Sequence, residues 1–104
     1  MEENIIAGNR LIAEFMGGKL KYYNISNEPY YLMPDKKQWM FERLVYNYDW
    51  NWLMAACRKF DKLNLMDKDY EALCDEIDNA VSCYEIKPAW KNLVKAITWH
   101  NSNK

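Results

Sequence analysis

Asp49-Trp50-Asn51-Trp52-Leu53-Met54-Ala55-Ala56-Cys57-Arg58-Lys59-Phe60 is the segment on which the fold turns. An aspartate stands immediately before a run with helical period. At 100° per residue Trp50, Leu53, Met54, Ala56, Cys57 and Phe60 share one face, and Arg58 and Lys59 fall outside it. A short acceptor side chain at the N-cap satisfies amides that the first turn leaves unpaired, so Asp49 predicts a helix over residues 49–63. Trp52 lies away from the centre of the apolar face. Tyr46 and Tyr48 precede the cap, which makes this the most aromatic part of a chain holding 5 Trp and 8 Tyr.

Downstream the pattern repeats twice. Asp67 is the expected cap of a third helix over residues 67–84, whose stripe is Tyr70, Leu73, Cys74, Ile77, Ala80, Val81 and Tyr84. Pro88 suits the first turn of a last helix, since its missing N–H is not needed there. Trp90, Leu93, Val94 and Ile97 form that helix's stripe, and Trp99 lies off it. Upstream, residues 4–16 predict an opening helix with Ile5, Leu11, Ile12, Phe15 and Met16 on one side. Gly8 interrupts that stripe, and a helix beginning later with Asn9 as its cap is the alternative. Gly17-Gly18 stops the helix, because glycine takes the left-handed cap conformation at little cost.

Residues 19–33 change period. Leu20, Tyr22, Tyr23 and Ile25, then the turn Ser26-Asn27-Glu28-Pro29, then Tyr30, Tyr31, Leu32 and Met33, predict an antiparallel β-hairpin. Pro29 restricts pairing where the second strand starts. Pro34-Asp35-Lys36-Lys37 is a further turn. Residues 39–48 fit either a short strand or a helical turn. The expected fold is α+β and mainly helical, with about four helices and a small antiparallel β-hairpin, in one domain over residues 1–104.

Composition bounds the function. Apolar residues make up 50% and charged residues 28% of 104 residues, which is globular rather than disordered composition. No apolar run approaches the ~20 residues of a membrane span, so no membrane role is expected. Met1-Glu2-Glu3-Asn4 is acidic where a signal peptide is basic, and a cytoplasmic location follows. The net charge of −1 gives no general attraction to nucleic acid or acidic lipid. Charge is nevertheless segregated. Asp67, Asp69, Glu71, Asp75, Glu76, Asp78 and Glu85 face only Lys68 in the third helical segment. Lys87, Lys91, Lys95 and Lys104 meet no acid in the last. Lys87, Lys91 and Lys95 recur every four residues and form one row, a candidate nucleic-acid contact. The same row is an ordinary solvated face if the acidic helix neutralises it.

A catalytic constellation is missing. Cys57, Cys74 and Cys83 are an odd set without Cys-x-x-Cys spacing and read as free thiols. His100, the single histidine, falls in the last helical turn, where a positive charge is favoured. A Cys57–His100 pair has no local support. No metal-ligand or phosphate-loop spacing occurs, so no enzyme activity and no cofactor are expected. Trp52, Trp99, Tyr22 and Tyr31 are the candidate partner contacts. Tyr22, Tyr23, Tyr30 and Tyr31 offer either a stacking platform for single-stranded nucleic acid or cross-strand pairs.

Three segments resemble a known group: Leu11-Ile12-Ala13-Glu14-Phe15-Met16-Gly17-Gly18, Tyr48-Asp49-Trp50-Asn51-Trp52-Leu53-Met54, and Trp90 onward to Ile97-Thr98-Trp99-His100-Asn101. Together they resemble small uncharacterised proteins of bacteriophage and prophage genomes, notably of gut Bacteroidetes. That group looks built from an opening helix with a glycine stop, a tyrosine-rich insert, a Trp-x-Trp-Leu-Met helix and a closing helix ending in Trp-Tyr-Asn. His100 stands where the tyrosine is expected, and residues 64–86 differ. The resemblance implies a phage- or mobile-element context and no site residues. The expectation is a non-enzymatic protein that acts by protein–protein binding in a bacterial host cell, as an antagonist of a host or defence protein. The alternatives are a nucleic-acid-binding accessory protein and a self-associating homo-oligomer.

Overall fold

Asp49 caps its helix through one carboxylate oxygen, which accepts from the amides of Asn51 (2.9 Å) and Trp52 (3.3 Å). Asp67 does the same for Asp69 (2.8 Å) and Tyr70 (3.4 Å). These local signals set the helical part of the chain as expected. The computed structural model describes residues 3–103. It is an α+β fold, mainly helical, with α1 (Glu3–Phe15), β1 (Lys19–Tyr22), β2 (Pro29–Leu32), β3 (Gln38–Trp39), a 3-10 turn (Phe41–Arg43), α2 (Trp50–Asp61), α3 (Lys68–Ser82) and α4 (Ile86–Ser102). Contacts divide the chain into two compact units, Met1–Val45 and Tyr46–Lys104.

In the first unit α1 ends in a Schellman motif. Gly17 N–H donates to Glu14 O (3.1 Å) and Gly18 N–H to Ala13 O (2.9 Å), with Gly17 at φ +93°. A Cβ at Gly18 would stand 2.8 Å from Met33 Sδ and 2.9 Å from Ala13 O, so only glycine fits. The sheet has the order β1-β2-β3 and is antiparallel throughout. The predicted hairpin is therefore present and gains a third strand. Residues 39–48 use both of the expected options, with Trp39 in β3 and Phe41 to Arg43 in the 3-10 turn.

Tyr31 fastens the sheet to α1. It is fully buried. Its hydroxyl donates to Glu14 (2.7 Å) and accepts from Arg10 Nε (3.2 Å). The Arg10 guanidinium in turn lies over the Phe41 ring, 4.2 Å from its centroid. Asn9 is not a cap. It sits inside α1, fully buried, and its amide donates to Leu44 O at 3.0 Å. A buried amide must be satisfied, and this bond ties α1 to the segment after the 3-10 turn.

In the second unit Leu53, Ala56 and Phe60 of α2, Tyr70, Leu73 and Ile77 of α3, and Leu93, Ala96 and Ile97 of α4 are buried. Each large apolar side chain so buried contributes about 1.5–3 kcal/mol. The Tyr70 hydroxyl closes the α2–α3 turn. It accepts from Asn64 N–H (2.9 Å) and shares its proton with the carbonyls of Phe60 (2.8 Å) and Asp61 (2.6 Å). Between α3 and α4 lies a second Schellman closure, Tyr84 N–H to Val81 O (3.0 Å) and Glu85 N–H to Ala80 O (3.3 Å). Tyr84 is thus not part of the apolar stripe of α3. It holds the left-handed position at φ +57° and is 86% exposed, because the chain must reverse there into α4.

Candidate binding surface

The residues singled out in the sequence do not form one site. Trp52 is half-buried and meets Tyr46 edge-to-face, with ring centroids 5.1 Å apart. Trp99 is half-buried, and its carbonyl accepts from the Asn103 side chain at 2.8 Å. Lys87, Lys91 and Lys95 are exposed along α4, but Lys95 pairs with Glu76 of α3 at 3.2 Å. Asn92 reinforces that contact by donating to Glu76 O (3.1 Å).

The hairpin tyrosines separate by the two-residue period of a strand. Tyr22 and Tyr31 lie on one face, Tyr23 and Tyr30 on the other. The second pair stacks on itself, centroids 4.3 Å apart, and Tyr23 donates to Gln38 Oε1 (3.4 Å). A single four-tyrosine platform does not exist. Tyr31 is also corrected as a partner contact. It is buried, its hydroxyl is engaged by Glu14 and Arg10, and burial pushes its ionisation above the usual tyrosine range. Tyr22 remains, 55% exposed.

Tyr22 stands on the free edge of the sheet. Among the described residues β1 pairs only with β2, and all four of its residues are exposed. The ladder's phase follows from Tyr23 N–H donating to Glu28 O at 3.0 Å. Antiparallel pairs alternate between bonded and non-bonded, so Lys21↔Tyr30 and Lys19↔Leu32 are bonded pairs. The main-chain N–H and C=O groups of Leu20 and Tyr22 therefore point outward from the sheet. The same two residues carry exposed apolar side chains on one face, Leu20 being 40% exposed. Lys19 and Lys21 project from the opposite face, also exposed. Pro29 fits this phase. It stands opposite Tyr22 in a non-bonded pair, so its nitrogen faces the side of β3, which reaches only as far as Tyr31.

Sequence reading named Tyr22 but missed Leu20, Lys19 and Lys21. The strict alternation Lys-Leu-Lys-Tyr was the available signal, since it marks a strand with two different wet faces.

The three cysteines are free thiols, Cys57 buried, Cys74 half-buried and Cys83 exposed. Burial, and then Asp78, push the Cys57 thiol up to about 12, against a small opposing effect of Arg58. A buried, protonated thiol is not the nucleophile a Cys57–His100 pair requires. Among the described residues no group of three His, Cys, Asp or Glu side chains is arranged to hold a metal ion. Among the same residues no helix is long and apolar enough to cross a membrane. No family model, curated protein or solved structure matches this chain.

Proposed function

We propose that this protein acts by binding another protein, without catalysis, through the free edge of β1. The carrying observation is the coincidence at Leu20 and Tyr22 of outward main-chain groups with exposed apolar side chains. Such an edge accepts an added strand: main-chain hydrogen bonds supply affinity and alternate side chains supply selectivity. A phage- or mobile-element-derived antagonist of a host or defence protein, acting in a bacterial cytoplasm, is the wider form of this proposal. It rests on the three resembling segments alone.

Leu20→Pro tests the edge. The substitution removes an outward donor while leaving the β1–β2 bonds intact, as proline does at an edge. A protein retained from nuclease-treated bacterial lysate by the wild type and lost with Leu20→Pro supports the reading. Retention indifferent to Leu20→Pro and Tyr22→Pro overturns it. The nucleic-acid alternative keeps Lys87 and Lys91 as exposed charges, while Lys95 is shared with Glu76. Unchanged nucleic-acid retention after charge reversal of Lys87 and Lys91 removes that alternative.

A further inference from the structure

Given the edge reading, the two faces of β1 specify what can lie beside it. We infer that the partner presents an extended segment in which acidic and apolar residues alternate, aligned along Lys19–Tyr22.

An added strand must take its main-chain bonds from Leu20 and Tyr22, which fixes which side chains come opposite which. Side chains directly opposite on one face have Cβ atoms about 4.5–5.5 Å apart. On one face the incoming residues meet Leu20 and Tyr22, where an aliphatic or aromatic side chain covers apolar surface that water now touches. On the other face they meet Lys19 and Lys21, where a carboxylate completes a cross-strand pair. Within the strands no acid competes for that role; Glu28, paired with Tyr23 just beyond β1, lies on this face diagonal to Lys21, and Asp35 sits in the turn before β3. The sheet region is positive in balance, with Lys19, Lys21, Lys36 and Lys37 against those two acids.

A second copy of this chain is the other natural occupant, and the lysines oppose it in the antiparallel registers that pair more than one residue within Lys19–Tyr22. Because Leu20 and Tyr22 are the outward residues, an antiparallel self-pairing must place outward residue against outward residue. The register that sets Leu20 against Tyr22 brings Lys21 directly opposite Lys21. The register centred on Leu20 brings Lys19 opposite Lys21. Like charges directly opposite are destabilising. Lysines on an edge commonly serve to repel unwanted pairing. Here the charges that repel a second copy are those that attract an acidic strand.

The test uses two blocked heptapeptides, Gly-Glu-Val-Glu-Val-Glu-Gly and its counterpart with lysine at each glutamate, titrated into the full-length protein and followed by amide chemical shifts. The glutamate peptide is expected to shift the amides of Leu20 and Tyr22 and to weaken with salt, and the lysine peptide is expected to leave them unmoved. Each lysine reversed is expected to weaken the glutamate peptide about two- to fivefold. The double variant Lys19→Glu/Lys21→Glu is expected to reverse the preference, a gain of binding that an unfolded variant cannot mimic. Equal binding of both peptides at Leu20 and Tyr22 overturns the acidic partner and leaves the edge reading standing. Shifts from neither peptide, with Leu20→Pro also without effect on capture, overturn both. Concentration-dependent shifts at Leu20 and Tyr22 in the protein alone would assign the edge to a second copy instead.

Discussion

Replacing Tyr84 with glycine should stabilise this protein. Tyr84 occupies the left-handed position of the α3 closure at φ +57°, with its ring 86% exposed. An L-residue with a side chain holds that conformation at a cost of about 1–2 kcal/mol, which glycine does not incur. Against this, glycine gives the unfolded chain more freedom, worth about 0.4–1 kcal/mol. Little apolar burial is lost, because the ring is already in water. The balance is a gain of about 0–1.6 kcal/mol, centred near ~0.8 kcal/mol, which corresponds to a rise in Tm of about 3–6 °C for a chain of this size. Thermal unfolding followed by circular dichroism measures it. Tyr84→Val should move the other way, since a branched Cβ is worse there. The α1 closure supplies the mirror experiment. Gly17 has the same role at φ +93°, with a Cβ there only 3.1 Å from Pro34 Cγ, so Gly17→Ala should destabilise. A Tyr84→Gly protein that melts lower than wild type would falsify this reasoning and mean that the ring holds something in place.

Three further outcomes are expected. Tyr70→Phe removes the hydroxyl that bridges the Asn64 amide to the Phe60 and Asp61 carbonyls, which keep only the main-chain bonds of the turn (Asn64 N–H to Asp61 O 3.4 Å, Leu63 N–H to Phe60 O 3.2 Å), and should cost about 0.5–1.5 kcal/mol in urea unfolding. Burial above all pushes Tyr70 up to about 12, so the unfolded chain releases this proton near pH 10 and the folded chain holds it. Stability should therefore fall between pH 10 and 12, and Tyr70→Phe should flatten part of that fall, the rest belonging to Cys57 and Cys74 from pH 9 upward and to Tyr31, all three raised chiefly by burial. Desolvation, then Asp61 and Asp75, hold the Asp78 carboxyl above its usual range, so the charged form is disfavoured in the folded state at neutral pH and the penalty vanishes as pH falls through that raised value. Asp78 is exposed and solvent screens this effect, so Asp78→Asn should give a small gain at pH 7 and none at pH 2, and an equal gain at both would remove charge as the cause. If the chain is one folding domain, ellipticity and tryptophan fluorescence should report a single urea transition, whereas two separated midpoints would assign independent stability to Met1–Val45 and Tyr46–Lys104.

The legible features were those decided within a turn or two of chain. Asp49 and Asp67 cap helices by reaching amides two and three residues on, and Gly17-Gly18 closes α1 with bonds to Glu14 and Ala13. What escaped was decided by distant partners. Tyr31 reads like its neighbours in a tyrosine-rich strand, and its partners Glu14, Arg10 and Phe41 all lie elsewhere along the chain. Asn9 resembles a cap until Leu44 claims its amide. Tyr84 continues the apolar period of α3, but the period carries no record of where the chain must reverse. The edge escaped for a related reason. Exposure of Leu20 and Tyr22 depends on β1 being outermost, which the order of strands in the sheet decides and the strand's own residues do not.

Pro29 has a consequence for how this sheet can change. On its β3 side the next bonded pair after Tyr31↔Trp39 would join residue 29 to residue 41, and there the chain leaves the sheet for the 3-10 turn. A proline has no N–H for that bond, so lengthening β3 by mutation alone gains little until residue 29 also changes. The β1 flank carries no such stop. A single imino acid thus caps the length of the β2–β3 ladder, a limit that the β1 edge does not share.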